Sequence, residues 1–265
     1  MNWHYITHGK QDAPALLFLH GFLGTGADWL EQCERFGTDT YCILPDLPGH
    51  GPTAVGKAGP IDFDTTASGL VSLISQLNLG QVVCIGYSMG GRIALYAALK
   101  YPEQFAALVL ESASAGLEDE RQREGRVALD EERASTLENE GLEGFVDTWY
   151  DQPLFASLKR LPNKCLALQQ SRKIHNPSCL ARALRGLSIG LQPSLWQSLD
   201  QLALPVLLLS GALDHKFSGI TRQMAGQMPS AQWNEIAHAG HNIHLEQPEA
   251  FHAAVSEFLG KIIQP

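Results

Sequence analysis

Short apolar runs alternate with segments of helical periodicity along the first 111 residues, and this alternation restricts the fold more than any other feature. The apolar runs cover residues 15–19, 41–44, 81–86 and 105–111, and the segments of helical spacing cover 63–77 and 90–100. Strand–helix alternation of this kind produces parallel strand pairing, with helices covering both faces of the sheet. The sequence therefore predicts an α/β fold built on a mostly parallel sheet.

The alternation stops at Ser112. Residues 112–198 are rich in charged side chains and carry no buried-strand signal, and apolar runs return at 205–210 and 231–236. A helical insertion between two halves of one sheet is typical of a lid, although a solvated helical face would give the same composition. We therefore expect a core of residues 1–111 and 199–265 and a helical lid of residues 112–198.

The charge balance excludes several classes of partner. The chain has 265 residues, of which 45% are hydrophobic and 18% charged, and its formal net charge is -9. Because no basic surplus is available to neutralise phosphates, we expect neither nucleic-acid binding nor attachment to an anionic membrane. No apolar stretch is long enough to cross a membrane. A monomer is the default expectation.

Cysteine usage indicates the compartment. The chain has five cysteines, an odd number, and no two have a Cys-x-x-Cys spacing. Free thiols in a reducing compartment are therefore expected, rather than a disulfide framework or a zinc site. The first residues lack the basic and apolar regions of a secretory signal, so the cytoplasm is the expected location. The sequence offers no cluster of metal ligands and no phosphate-binding glycine loop, and we expect neither a metal nor an organic cofactor.

A Gly-x-Ser-x-Gly motif joins the predicted strand at 81–86 to the predicted helix at 90–100. The motif is Gly86-Tyr87-Ser88-Met89-Gly90. A serine on a sharp strand-to-helix turn has strained backbone angles, and side chains two positions away on either side would collide unless both are glycine. The turn raises the hydroxyl above the sheet, in front of the N-terminus of the following helix. Ser88 is therefore the predicted reactive residue.

An earlier glycine-containing loop is the candidate oxyanion hole. The segment His20-Gly21-Phe22-Leu23-Gly24 follows the predicted strand at 15–19. An oxyanion hole needs two backbone N–H donors directed at the position where negative charge develops. We assign these donors to Phe22 and to Met89, the residue after the reactive serine.

The acid and the base are expected after the serine in the chain, in that order. Asp214 follows the predicted strand at 205–210, and His241 follows the one at 231–236. The acid orients the imidazole and stabilises its charged form, and the histidine takes the proton of the serine hydroxyl. His238 and His244 are competing candidates. His241 is preferred because Gly240 precedes it and a helix-forming segment follows it.

Five motifs together resemble the α/β-hydrolase superfamily over essentially the whole chain. They are His20-Gly21, Asp46-Leu47-Pro48-Gly49-His50-Gly51, the serine motif, Gly211-Ala212-Leu213-Asp214 and Gly240-His241. The resemblance implies an α/β-hydrolase fold, a mostly parallel sheet flanked by helices with an inserted helical lid. It does not identify the reaction, because this fold supports many chemistries.

A second set of motifs resembles a narrower family, the 2-succinyl-6-hydroxy-2,4-cyclohexadiene-1-carboxylate synthases of menaquinone biosynthesis. These motifs lie at residues 87–92, 111–117, 126–130, 148–155 and 169–176. The resemblance implies a lyase, not a hydrolase. Enzymes of this family eliminate pyruvate from a cyclohexene that carries an enolpyruvyl ether, a ring carboxylate and a succinyl arm. The implied partner is therefore a small polyanionic substrate.

The same resemblance implies a set of substrate-binding residues. They are the arginines Arg92, Arg126 and Arg172 and the aromatic residues Tyr87 and Trp149. Guanidinium groups suit a polyanion because each can bind a carboxylate through two parallel hydrogen bonds. Near residue 126 the assignment stays open, since Arg121, Arg123 and Arg133 lie close by and any of them could face the pocket instead.

Two other functions fit part of the sequence. The same triad serves an esterase, a thioesterase or a carbon–carbon bond hydrolase in which Ser88 is a covalent nucleophile. Three convergent cations favour the lyase, because a site for neutral substrates has no use for charges that are costly to desolvate. A non-catalytic binding protein of the same fold is the second alternative, and the complete triad argues against it.

Overall fold

In the computed structural model, which describes residues 2–53 and 59–263, seven strands form one sheet. The strands are β1 (Tyr5–Gly9), β2 (Ala15–Leu19), β3 (Tyr41–Pro45), β4 (Val82–Tyr87), β5 (Phe105–Glu111), β6 (Val206–Gly211) and β7 (Ala231–Ile236). Their order across the sheet is β1-β3-β2-β4-β5-β6-β7. Only β1 pairs antiparallel, with β3, and the remaining described pairs are parallel. The predicted mostly parallel sheet is confirmed.

Ten α-helices accompany the sheet in the described part of the chain. They are α1 (Leu30–Phe36), α2 (Phe63–Gln76), α3 (Met89–Lys100), α4 (Glu120–Glu140), α5 (Leu142–Asp151), α6 (Pro162–Arg172), α7 (Pro177–Gly186), α8 (His215–Ala225), α9 (Ile243–Glu246) and α10 (Pro248–Ile262). No helix among the described residues combines the length and the hydropathy needed to cross a bilayer.

Alternate residues of each central strand belong to two different cores. In β2, Leu17 and Leu19 pack with residues of α2, α3 and α8, whereas Leu16 and Phe18 pack with residues of α1 and α10. Successive side chains of a strand point to opposite faces, so a sheet covered on both sides requires apolar residues at every position. This requirement explains the continuous apolar runs from which the strands were predicted.

Strand β1 was missing from the sequence prediction. Its residues alternate between exposed and half-buried, with no fully buried position. It lies at the edge of the sheet, where only one neighbouring strand is available and apolar side chains are not required. An edge strand of this kind carries too weak an apolar signal to be distinguished from a loop.

The segment between β5 and β6 is helical, as predicted. Helices α4 to α7 occupy it, and residues 112–198 contain no strand. These helices have an apolar core of their own, formed by residues such as Leu137, Phe145 and Leu180, and Leu23 of the main domain packs into it. The inserted helices are thus attached to the loop that follows β2.

Helix α7 approaches the main domain closely at its last residue. A Cβ atom on Gly186 would lie 1.6 Å from the carbonyl oxygen of Ile61. In contrast, a Cβ atom on Gly125, in the middle of exposed α4, would have nothing within 4 Å. The two glycines therefore allow a matched test of this contact.

We expect Gly186→Ala to destabilise the protein by about 1–3 kcal/mol, because the added methyl group forces two backbones apart. Gly125→Ala should stabilise it by about 0.5–1 kcal/mol, because alanine loses less conformational entropy in a helix. Urea-induced unfolding of both variants measures these changes. Equal effects of the two substitutions would contradict the close contact at Gly186.

Candidate active site

Ser88 occupies the turn between β4 and α3 with φ 50° and ψ -107°. Its N–H donates to the carbonyl oxygen of Glu111 at 2.8 Å. Glycine is required on both sides of Ser88. A Cβ atom on Gly86 would lie 2.6 Å from the Cα of Gly91. A Cβ atom on Gly90 would lie 2.3 Å from the carbonyl oxygen of Leu19. The two glycines thus let the chain turn sharply enough to place the Ser88 hydroxyl above the sheet.

The structure brings Ser88, Asp214 and His241 together. The His241 Nε2 lies 3.0 Å from the Ser88 Oγ, and its Nδ1 lies 2.7 Å from the Asp214 Oδ2. The other carboxylate oxygen of Asp214 accepts from the N–H of Phe217 at 3.2 Å, which fixes the carboxylate at the start of α8. Asp214 and His241 are 7% and 1% exposed. The geometry is that of a serine whose proton a histidine can accept.

The two competing histidines lie outside this arrangement. His238 is exposed and has a φ of 61°. His244 is buried, with its Nδ1 2.8 Å from the Glu111 Oε2 and its ring stacked on Trp29 at 4.1 Å between centroids. Neither ring is hydrogen-bonded to Ser88 or Asp214.

Two buried glutamates hold the loop that carries His241. Glu246 accepts from the N–H of Gly240 at 2.9 Å and of Asn242 at 3.3 Å. Glu111 accepts from the N–H of Ile243 at 2.6 Å. The sequence analysis missed both residues, although a glutamate at the end of the apolar run 105–111 was a usable signal, because a buried carboxylate needs partners.

The two predicted oxyanion donors lie on the same side of the serine turn. Within the described part of the chain, neither the N–H of Phe22 nor that of Met89 has a protein acceptor. Both residues line the cavity above Ser88. Gly21 must remain a glycine here, since a Cβ atom on it would lie 2.7 Å from the Cε1 of Tyr87. Two unpaired N–H donors that line the cavity above the serine can stabilise a developing negative charge.

Three buried histidines fix the loop that carries Phe22. The Nδ1 of His20 donates to the Gly21 carbonyl oxygen at 2.7 Å. The Nε2 of His50 accepts from the N–H of Leu23 at 3.2 Å, and the Nε2 of His175 donates to the Leu23 carbonyl oxygen at 2.8 Å. Each ring uses one nitrogen as donor and the other as acceptor, so the loop is built for neutral imidazoles. Burial lowers the pKa of all three, that of His20 to about 4.

A cavity of about 620 Å³ opens above the triad. Of the residues proposed for substrate binding, Tyr87, Arg92, Arg126 and Trp149 line it, and Arg172 does not. The described residues contain no group of three or more His, Cys, Asp or Glu side chains arranged to bind a metal ion. Aromatic and cationic side chains bound the cavity.

Arg92 is a half-buried cation of the cavity wall. Its guanidinium donates to the Gln192 Oε1 at 3.2 Å and to the Leu187 carbonyl oxygen at 3.1 Å. No carboxylate of the described chain lies within 4 Å of it. Burial and the nearby Arg126 lower the pKa of Arg92 to about 9, so it stays charged at pH 7. A half-buried cation without a counter-ion can bind an anionic ligand.

Asp130 resolves which arginines of α4 face the cavity. It is 1% exposed and lies 2.8 Å from the Arg126 Nε and 3.5 Å from the Arg133 Nη1. Both arginines line the cavity, whereas Arg123 instead donates to the Gln192 carbonyl oxygen at 2.9 Å and Arg121 is exposed outside the lining. The structure therefore adds Arg133, one of the open alternatives, to Arg126.

Arg172 differs from its expected role. Its guanidinium is 4% exposed and binds both carboxylate oxygens of Asp28, at 2.6 and 2.7 Å, while its Nε donates to the Tyr150 hydroxyl at 3.2 Å. Burial alone would raise the pKa of Asp28, but the guanidinium lowers it overall. All three nitrogens of the guanidinium have a protein partner, so Arg172 links α6 to the loop after β2, and it does not line the substrate cavity in this structure.

We expect Arg172→Met to destabilise the protein by about 3–5 kcal/mol, because it leaves the Asp28 carboxylate, whose side chain is only 18% exposed, without a cationic partner. The double variant Asp28→Asn/Arg172→Met should recover part of this loss. Arg185→Met removes a half-buried arginine whose partners Glu131 and Glu138 are exposed to solvent, and it should cost only about 0–1 kcal/mol. Unfolding in urea at pH 7 compares the variants, and equal losses for Arg172 and Arg185 would contradict the assignment.

The neutral histidines predict a pH dependence of stability. On unfolding, each imidazole regains a pKa near 6.5, so below that pH the unfolded state binds protons that the folded state refuses. The free energy of unfolding should therefore fall as the pH drops from about 6.5 towards 4, by about 1.4 kcal/mol per pH unit for each such histidine. Carboxylates of the unfolded chain titrate mainly below this window. Urea titrations between pH 7.5 and 5 measure the slope of the unfolding free energy against pH. His50→Gln should reduce this slope by the equivalent of about one proton. An unchanged slope would refute the neutral state of His50.

Comparisons with known proteins agree with this geometry. A family model described as the α/β hydrolase fold matches residues 14–248. The 2-succinyl-6-hydroxy-2,4-cyclohexadiene-1-carboxylate synthase of Serratia proteamaculans is 34% identical over 255 residues, covering 96% of each chain. The structure of MenH from S. aureus is 33% identical, with a TM-score of 0.94 over 97% of this chain and 98% of that one.

An esterase is also among the similar structures. The thermophilic esterase from Thermogutta terrifontis, solved with malate bound, is 27% identical, with a TM-score of 0.88 over 99% of this chain and 94% of that chain. The synthase of Serratia proteamaculans and MenH from S. aureus are both more similar in sequence to this chain than the esterase is, and MenH also has the higher TM-score. The chain therefore belongs to the α/β hydrolase fold family and, within it, to the family of 2-succinyl-6-hydroxy-2,4-cyclohexadiene-1-carboxylate synthases.

Proposed function

We propose that this protein is a lyase of menaquinone biosynthesis. It eliminates pyruvate from 2-succinyl-5-enolpyruvyl-6-hydroxy-3-cyclohexene-1-carboxylate and gives 2-succinyl-6-hydroxy-2,4-cyclohexadiene-1-carboxylate. One observation carries the proposal: the cavity above a Ser–His–Asp triad contains a half-buried arginine, Arg92, that has no carboxylate partner in the described chain. The synthase relatives agree with this activity by name.

The proposed substrate has three carboxylates, and the cavity offers cations for them. Arg92 and Arg126 each present a planar guanidinium that can bind a carboxylate through two hydrogen bonds. Asp130 already neutralises part of the charge of Arg126 and Arg133, which keeps these two side chains extended into the cavity before the substrate arrives. A site arranged in this way spends little free energy on ordering its side chains when the substrate binds.

In the proposed reaction, Ser88 acts as a general base. His241 takes the proton of the Ser88 hydroxyl, and the serine oxygen removes the proton from ring carbon 2, which is acidic because it lies next to the succinyl carbonyl. The C2–H electron pair forms the C2=C3 bond, the C3=C4 pair moves to C4=C5, and the C5–O bond breaks. The fragment leaves as the enolate of pyruvate, which takes up a proton.

The negative charge that develops on the succinyl carbonyl oxygen needs stabilisation. The N–H groups of Phe22 and Met89 are the proposed donors, and Met89 is also the first residue of α3, whose N-terminus carries partial positive charge. In an ester hydrolase, such donors stabilise a tetrahedral intermediate. In the proposed lyase, they stabilise an enolate. The same geometry therefore serves elimination without a covalent intermediate.

Aromatic side chains are the proposed walls for the ring. Tyr87 lies with its ring centroid 5.4 Å from that of His241, and Trp149 lies 4.8 Å from Phe22. Arg133 in turn covers the Trp149 ring at 5.1 Å. These flat apolar surfaces can bury the cyclohexene, while the charged groups remain for its carboxylates.

We also propose that residues 112–198 form a lid, since more than half of the residues that line the cavity come from them, Arg126, Arg133, Trp149 and Phe155 among them. A lid excludes water from the carbanion-like intermediate. The free thiols of all five cysteines support a reducing cytoplasm as the location. A monomer is the proposed state, acting on a small molecule rather than on nucleic acid.

The alternative is a serine hydrolase, in which Ser88 attacks an ester or thioester carbonyl of a small acidic substrate. The similar esterase structure favours this second function. It predicts a covalent acyl intermediate on Ser88, which the lyase mechanism does not form.

The first test measures pyruvate release from the enolpyruvyl substrate, together with hydrolysis of simple esters and thioesters. We expect rapid pyruvate release and poor ester hydrolysis. Ser88→Ala should lower kcat by about 10²–10⁴-fold, because the general base is lost. Arg92→Met should lower kcat/KM by about 10–100-fold, because one charged hydrogen-bond pair is lost.

Arg160→Met is the matched control, since Arg160 is exposed and outside the cavity lining. Its kinetic constants should equal those of the unchanged protein. Brisk ester or thioester hydrolysis with no pyruvate would replace the lyase with the hydrolase. Full elimination activity in Ser88→Ala would exclude the general-base mechanism.

A further inference from the structure

One cation of the cavity wall has no role in the reaction as described so far. Lys216 lines the cavity, is exposed, and forms no ion pair with any described residue. It lies in the first turn of α8, two residues after Asp214. Its Nζ is 5.8 Å from the centroid of the Phe217 ring, which itself lies 4.5 Å from the ring of His241. Lys216 is therefore a free positive charge next to the catalytic pair.

The arginines lie on a different part of the wall. Arg92 belongs to the first turn of α3, which follows β4, whereas Lys216 belongs to α8, which follows β6. Strand β5 separates these two strands in the sheet. Two strand spacings place the starts of the two helices roughly 10 Å apart. The cavity thus has two separated cationic regions, and Ser88 lines the same cavity.

The shape of the proposed substrate requires two such regions. Its succinyl arm is attached at ring carbon 2 and its enolpyruvyl ether at ring carbon 5, and these positions face each other across a six-membered ring. A group of neighbouring arginines cannot hold both arms at once. One arm must extend towards a cation on the other side of the cavity.

We propose that Lys216 binds the carboxylate of the enolpyruvyl arm, the part of the substrate that leaves as pyruvate; this inference rests on the proposed lyase function. The half-buried arginines Arg92 and Arg126 then hold the succinyl and ring carboxylates, which remain together in the product. Lysine suits the leaving fragment because it is a flexible point charge at an exposed position, so pyruvate is released easily after each turnover.

The charges of the cavity agree with this division. Four cations line it, namely Arg92, Arg126, Arg133 and Lys216, and one buried acid outside the triad, Asp130, is paired with two of them. The net charge of this set is three positive charges, which equals the number of carboxylates on the substrate. Without Lys216, one carboxylate would be left without a positive counterpart.

The test compares Lys216→Met and Lys216→Arg with the unchanged protein by steady-state pyruvate release. Lys216→Met should raise KM by roughly tenfold and change kcat by less than about threefold, because a charged contact is lost while the triad stays intact. Lys216→Arg should restore most of the loss. Lys261→Met, on the surface of α10 and paired with Glu257, is the matched control and should leave both constants unchanged.

Two inhibitors separate the leaving arm from the retained arms. Inhibition by pyruvate should weaken roughly tenfold in Lys216→Met. Inhibition by 2-succinylbenzoate, which carries the ring carboxylate and the succinyl arm but no enolpyruvyl group, should stay unchanged. The inference is overturned if Lys216→Met leaves KM and pyruvate inhibition within twofold, or weakens both inhibitors equally. Absence of pyruvate release by the unchanged protein would instead refute the lyase function itself.

Discussion

The backbone of Ser88 is held in a conformation that L-residues rarely adopt, and the rest of the active site is built around it. Such a conformation costs about 1–3 kcal/mol and persists only where the surroundings fix it. Here the surroundings are the packed sheet: Gly86 and Gly90 touch neighbouring backbone so closely that no side chain fits. The covering of the sheet on both faces by α1, α10, α2, α3 and α8 makes these contacts rigid. The precision of the site therefore derives from the core, not from the loops alone.

Two arginines illustrate how the partners of a charged group differ within one protein. Arg172 is buried and bound to both carboxylate oxygens of Asp28, whereas Arg92 is half-buried and donates only to neutral oxygen acceptors. The paired arginine links two parts of the fold, and the unpaired one is the proposed partner of a substrate carboxylate. Sequence motifs cannot separate these roles, since both residues resemble members of one substrate-binding set.

Much of this architecture was predictable from the sequence, for physical reasons that also explain the omissions. Parallel strands buried on both faces leave continuous apolar runs, and the serine turn requires glycine at fixed spacing, so the sheet, the inserted helices and the candidate triad residues could be named. Strand β1 was missed because an edge strand needs no apolar run. The partners Asp28, Asp130 and Glu246 were missed because a carboxylate on a loop or helix gives no sign in the sequence of which distant group it meets. Only contact in the folded chain reveals them.

Glu111 has a consequence for how this site can change. Its carbonyl oxygen accepts the N–H of Ser88, and its carboxylate accepts the N–H of Ile243 and lies against His244, next to the loop of His241. One residue therefore contacts both the turn that carries the hydroxyl and the loop that carries the imidazole. A change that displaces Glu111 is expected to alter the separation between these two groups even though Glu111 itself touches neither of them.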